Sequence, residues 1–223
     1  MFISQTTNVS VVAFDLDGVL MDTLYGVHQA TIELMEEAGV LNPPDFKTFC
    51  EEFDMPHEPF HASYGLECTP VLERRFLELL EGYKNLAEPY PGMVQVVKQL
   101  QVTGIGLAVI SAANHRRVHE LLDRFNLRQF FGPVYTDDPC KVRNLITCCR
   151  DLGCPPSEFC YIGDRPSDMR DATQAGVIPI GFAADYDFMR PLLKKAGARV
   201  VVDDPDEILE QILVPALTIV SVV

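Results

Sequence analysis

Val9-Ser10-Val11-Val12-Ala13-Phe14-Asp15-Leu16-Asp17-Gly18-Val19-Leu20-Met21-Asp22-Thr23 is the stretch on which the reading of this chain turns. Residues 9–14 are mostly β-branched or apolar, which predicts a buried strand. The run stops at two carboxylates one residue apart, Asp15 and Asp17. In extended backbone, residues i and i+2 point the same way, so the two acids converge where the strand ends. Gly18 then permits a sharp turn. Ligands of parallel α/β sheets bind beyond the carboxyl ends of strands, which makes this the expected seat of chemistry. Two close carboxylates repel, and a divalent cation or a shared proton relieves the repulsion.

Beyond Thr23 the apolar period changes from strand to helix. Leu24, Val27, Ile32, Leu34 and Met35 make a helical face that Gly39 closes. Asn42-Pro43-Pro44-Asp45 breaks the chain and starts another helix. Helical segments are predicted over 45–53 and 70–83, with 55–69 read as a loop. No strand pattern occurs from 24 to 88. Pro89-Tyr90-Pro91-Gly92 then leads into a helix marked by Met93, Val96, Val97 and Leu100. Strands follow at 106–110, 131–136, 159–162, 177–180 and 199–202, alternating with helices. That alternation predicts an α/β fold with a doubly wound parallel sheet. The expected organisation is a core domain from 1–23 and 89–223, with a small helical cap domain inserted at 24–88.

Further candidates stand at the later strand ends. Ser111 follows the second strand, just before the helix N-cap Asn114, where a hydroxyl and backbone N–H groups can receive a phosphate. Lys141 precedes a helix and can neutralise anionic groups. Asp164 ends the fourth strand in Gly163-Asp164-Arg165-Pro166-Ser167-Asp168, so it can share a cation with Asp15. Asp168 lies in the next helical turn, placed to orient a lysine or to bind a metal through water. Asp171 reads as helix surface. Arg165 reads either as a residue shaping the pocket or as a solvated charge.

Asp15-Leu16-Asp17-Gly18-Val19-Leu20, then Ser111, Lys141 and the Gly163-Asp164 to Asp168 segment, resemble in order the four signatures of the haloacid dehalogenase superfamily. The helical insert and the Tyr90-Pro91-Gly92 return resemble its phosphoglycolate phosphatase and β-phosphoglucomutase group. The resemblance implies a Mg²⁺-dependent phosphatase acting on a small phosphorylated metabolite through an aspartyl-phosphate. It implies Asp15 as nucleophile, Asp17 as general acid and base, and Ser111, Ala112 and Lys141 as holders of the phosphoryl group. Mg²⁺ would be held by Asp15, the backbone carbonyl of Asp17, and Asp164, with Asp168 in support. One departure is Lys141-Val142-Arg143, where the family usually has Lys-Pro; Arg143 is a fallback cation.

Asp17 disfavours the dehalogenase and phosphonatase subgroups, which lack this second acid. A mutase of the β-phosphoglucomutase type would carry a histidine at the place of Val27, whereas His28 stands one residue later. A catalytically silent binding protein of the same fold is the alternative from another class. Tyr25, His57, His61, Tyr64, Arg74 and Arg75 are the polar insert residues that can meet a leaving group.

The chain has 223 residues and a net charge of −14. So acidic a protein is a poor match for a nucleic-acid backbone, though local cations can still serve one small phosphate. The N-terminus lacks the cationic start and apolar core of a signal peptide. The apolar run 212–223 falls short of the ~20 residues that span a membrane, and reads as a docked tail or an oligomer contact. The expectation is a cytoplasmic monomer or homodimer with no nucleic-acid or membrane partner. Seven cysteines include no CxxC pair. Cys148, Cys149, Cys154 and Cys160 read as packing residues, and Cys140 beside Lys141 as a weakly activated thiol at most.

Overall fold

The computed structural model describes residues 9–217. Strand β1 (Val11–Phe14) is buried along its whole length. A short strand β2 (Met21–Asp22) then leads into four helices: α1 (Leu24–Glu37), α2 (Phe46–Glu52), α3 (Glu58–Ser63) and α4 (Pro70–Gly82). The chain returns through β3 (Glu88–Pro89), which pairs antiparallel with β2. This two-stranded ribbon ties the way out of the helical insert to the way back.

The remainder alternates regularly. It runs α5 (Met93–Val102), β4 (Gly106–Ile110), α6 (His115–Arg124), β5 (Val134–Tyr135), α7 (Val142–Asp151), β6 (Phe159–Gly163) and α8 (Pro166–Ala175). It closes with β7 (Ile178–Phe182), α9 (Arg190–Ala196), β8 (Val200–Val202) and α10 (Pro205–Leu217). The six-stranded sheet has the order β5-β4-β1-β6-β7-β8, and all its pairs are parallel. The order reverses at β1, between β4 and β6, and a doubly wound sheet opens its ligand crevice where such a reversal occurs. Apolar side chains bury against helices on both faces, with Val12, Phe14 and Val109 in one cluster and Ala13, Ala108 and Tyr161 in another.

The segment read as a loop from 55 to 69 contains α3. Its proline lies in the first helical turn, where the missing N–H has no intrahelical partner to lose. The insert also shares an apolar cluster with the sheet-bearing part: Met35, Phe49, Cys50 and Phe60 pack with Met169, Met189 and Leu193. It therefore leans on α8 and α9 and leaves a cleft over the strand ends. Ile208 and Ile212 of α10 pack into the main core, so the apolar run 212–223 is docked at its first residue. The readings of 1–8 and of the tail past 217 lie outside the described residues. Among the described residues, no helix is long and apolar enough to cross a membrane.

Candidate active site

Asp15 is buried at the carboxyl end of β1, and its N–H donates to Ile162 O at 2.9 Å. One carboxylate oxygen accepts from Leu16 N–H at 2.7 Å, the other from Lys141 Nζ at 2.6 Å. The same Nζ donates to Asp168 Oδ1 at 2.7 Å. Lys141 is only 3% exposed, and these two acids take two of the three donors of its ammonium. Burial works against that charge, but Asp15 and Asp168 outweigh it and hold the Lys141 pKa well above its ordinary value. The Lys141 N–H donates to Asp171 Oδ2 at 2.7 Å, which fixes the start of α7. The departure at Val142 thus leaves the lysine charge between its two carboxylates.

Asp168 is fully engaged. Its Oδ2 accepts from Arg165 N–H at 3.1 Å, and the Tyr161 hydroxyl lies 3.4 Å from Oδ1. Gly163 makes this possible, because a Cβ there would overlap the Asp168 side chain. Gly18 has the same function across the cleft floor: its φ is +79°, and a Cβ would collide with the Asp164 carboxylate.

Carboxylate oxygens of Asp15, Asp164 and Asp168 lie within 4.8 Å of one another. Burial, with the neighbouring acids, pushes Asp15 up to about 8 and Asp164 up to about 7, against the opposing pull of Lys141 and Arg165. Asp164 Oδ2 pairs with Arg165 Nε at 3.1 Å, while its buried Oδ1 has no hydrogen-bond partner among the described residues. A hard cation fits this arrangement: the donors are oxygens, their repulsion needs relief, and one oxygen is unsatisfied. Asp168, held by Lys141 and backbone, is better placed to position than to ligate.

Asp17 faces the cleft and accepts from Arg117 Nη2 at 2.8 Å. Arg117 sits in the first turn of α6, where Asn114 caps the helix by accepting Arg117 N–H at 2.9 Å. Burial tends to raise the Asp17 pKa, but the Arg117 charge and hydrogen bonds from Arg117 and Thr23 win, and the net shift is downward. Ser111 is buried at the end of β4, with its Oγ accepting from Ala113 N–H at 3.1 Å.

These side chains meet in one cleft of about 510 Å³, whose walls include Asp15, Asp17, Ser111, Ala112, Lys141, Asp164 and Asp168. From the insert, His57 and His61 line it, whereas Tyr25, Tyr64, Arg74 and Arg75 do not. Arg75 pairs with Glu37 and Glu78 on the surface, and Tyr64 with Glu52. Arg143 pairs with Asp138, exposed and away from the carboxylates. His28 is buried between Phe46 and Phe49 with Nε2 3.1 Å from Pro44 O, so it turns from the cleft that Val27 lines.

Four residues were missed or undervalued by sequence reasoning: Arg117, Arg165, Tyr161 and Asp171. Arg165 is buried and donates to the Cys50 and Phe53 carbonyls, joining α8 to the insert. Asp54 completes that joint by accepting from Ser167 N–H and from Arg170. Arg117 carried a usable sign, three residues past the N-cap Asn114, and Arg165 carried one in its place between Asp164 and Asp168.

The sequence family described as haloacid dehalogenase-like hydrolase matches residues 12–182. A phosphoglycolate phosphatase of Pseudomonas syringae pv. syringae is 30% identical over 211 residues, covering 86% of this chain and 76% of its own. One from Chromobacterium violaceum is 26% identical over 193 residues, covering 80% of this chain and 87% of its own. Among solved structures, a haloacid dehalogenase-like family hydrolase from Streptococcus pneumoniae superposes with a TM-score of 0.76 at 20% identity, over 92% of this chain and 98% of that one. A hydrolase from Pseudomonas syringae gives a TM-score of 0.76 at 19% identity, over 96% and 100%.

Proposed function

This chain belongs to the haloacid dehalogenase-like hydrolases, and from that premise we propose that it is a Mg²⁺-dependent phosphatase of small phosphorylated metabolites. The observation that carries the reading is the floor of the cleft, where Lys141 Nζ lies 2.6 Å from Asp15 and 2.7 Å from Asp168. A carboxylate so placed is oriented for attack and faces a space large enough for a small ester. The relatives' name makes phosphoglycolate the first substrate to try.

Asp15 attacks phosphorus, and the ester P–O bond breaks with its electron pair going to the leaving oxygen. That oxygen takes a proton from Asp17. Water then attacks the phosphorus of the aspartyl-phosphate, Asp17 accepts its proton, and inorganic phosphate leaves with Asp15 restored. Ser111, the Ala112 backbone and Lys141 hold the phosphoryl oxygens. Asp15, Asp164 and the Asp17 carbonyl would hold Mg²⁺, which when bound would supply the charge neutralisation that two anions need to meet. Arg117 keeps Asp17 ionised before substrate arrives, and an incoming anion that draws the guanidinium away frees Asp17 to carry a proton.

Helices α1–α4 act as the cap and supply the roof that meets the leaving group. Hydrolysis is favoured over a mutase reaction because His28 is turned away and engaged. The test is turnover of p-nitrophenyl phosphate by metal-stripped protein. Activity restored by Mg²⁺ and abolished by EDTA is expected; undiminished turnover in excess EDTA would overturn the reading.

A further inference from the structure

The roof of the cleft holds a second cluster of ligating atoms, chemically unlike the first. His57 is the N-cap of α3, His61 lies in its last turn, and Cys68 stands just before the N-cap Thr69 of α4. One ligand atom from each of the three lies within 4.8 Å of the others. All three side chains line the cleft, beside Glu58 and Glu73.

The two imidazoles stand at 90° with centroids 5.3 Å apart. Two imidazole nitrogens at about 2 Å from one tetrahedral ion would put their ring centroids about 5 Å apart. The rings are set in an aromatic wall: Phe53 stacks parallel to His57 and meets His61 edge-on, and Phe60 also flanks His61. His61 is only 5% exposed, and its Nδ1 has no hydrogen-bond partner among the described residues. A buried imidazole nitrogen left unsatisfied is costly, and coordination of an ion by that nitrogen would remove the cost.

We propose that His57, His61 and Cys68 form a binding site for a borderline divalent ion, zinc above all, in the roof of the cleft. Two nitrogens and a sulfur select zinc over magnesium, which prefers oxygen and keeps its waters. Three protein ligands leave the fourth tetrahedral position open, as in zinc sites that bind a further molecule. Because the three side chains line the cleft, that position faces it, and a carboxylate, imidazole or thiolate of a cleft ligand can complete the sphere. The negative charges of Glu58 and Glu73 near Cys68 favour a cation there. Burial and those acids raise the free Cys68 thiol pKa, so zinc binding would release its proton. The chain would thus sort two metals by donor chemistry, oxygen at the floor and nitrogen and sulfur at the roof. The inference goes beyond the phosphatase reading and does not depend on it.

The test is titration of metal-stripped full-length protein with Co²⁺ in excess Mg²⁺, followed by absorption. One Co²⁺ should bind with tetrahedral d–d bands and a thiolate-to-cobalt charge-transfer band, and Zn²⁺ should displace it. Cys68→Ser should remove the charge-transfer band. His57→Ala and His61→Ala should each weaken binding at least about tenfold, and His57→Ala carries the test if the buried His61 variant does not fold. Asp164→Asn should leave the spectrum intact. No charge-transfer band in the wild type, its survival in Cys68→Ser, or its loss in Asp164→Asn would overturn the proposal.

Discussion

At the floor of the cleft, Lys141 donates to Asp15 and Asp168 at 2.6 and 2.7 Å, whereas in the roof His61 Nδ1 is buried with no partner among the described residues. The floor residues come from the ends of β1 and β6 and the starts of α7 and α8, all tied to one parallel sheet. The roof residues come from a six-residue helix and the loop after it. A sheet fixes side chains to the tolerance that bond-making requires. A short helix packed through Phe53 and Phe60 offers a surface that can be changed without disturbing the chemistry. Under the proposed function, reaction would belong to the floor and selectivity to the roof.

The largest break in that contrast should come from Lys141→Ala. Two buried carboxylates then lose their shared cation, and kcat/KM on any phosphate ester should fall by about 10²-fold or more. Kinetics like those of the wild type would mean that the floor is not the reactive surface.

A smaller effect should separate Asp17 from the rest of the floor. Without Arg117 the burial that tends to raise the Asp17 pKa is unopposed by its strongest partner. Arg117→Gln should therefore move the alkaline limb of kcat/KM, where Asp17 loses its proton, to higher pH. An unmoved limb in the pH profile would contradict the pairing.

The smallest effect contrasts the two regions directly, in the stability of chelated protein. Asp15 and Asp164 are raised from 3.8 to about 8 and about 7, so they bind protons more tightly folded than unfolded. Their contribution is present below the unfolded value and lost as pH rises through 7 to 8. His61 is lowered from 6.5 to about 4, by burial and then by His57, and its contribution is lost as pH falls through that range. Tm should decline toward both ends. Asp164→Asn should flatten the alkaline side and His61→Gln the acid side, each by a few degrees. A Tm profile unchanged in either variant would show that its group does not titrate as described.

Much of the floor was legible because each of its acids and its lysine ends a strand or begins a helix, where period and punctuation coincide. The structure brings Asp15, Asp17, Ser111, Lys141, Asp164 and Asp168 into one cleft as that pattern suggested. Tyr161 was hidden because an aromatic inside a buried strand looks like core, and only the fold shows its hydroxyl beside Asp168. Asp171 read as helix surface and Arg165 as either a pocket-shaping residue or a solvated charge; their partners lie 30 residues away at Lys141 and 115 and 112 residues away at Cys50 and Phe53. The roof was the least legible part. Proline and glycine near α3 read as breakers, and two histidines and a cysteine spread over 57–68 converge only once that helix forms.

The central claim is that Asp15 carries the phosphoryl group and Asp17 moves the proton. Its most direct measurement is intact mass after rapid quenching with an activated phosphoryl donor. Asp17→Asn should still be phosphorylated, since an activated leaving group needs little acid help, and should hold its phosphoryl group longer than the wild type. Asp15→Asn should show no added phosphoryl group. A phosphorylated Asp15→Asn protein, or Asp17→Asn turning over alkyl phosphates at the wild-type rate, would contradict the account.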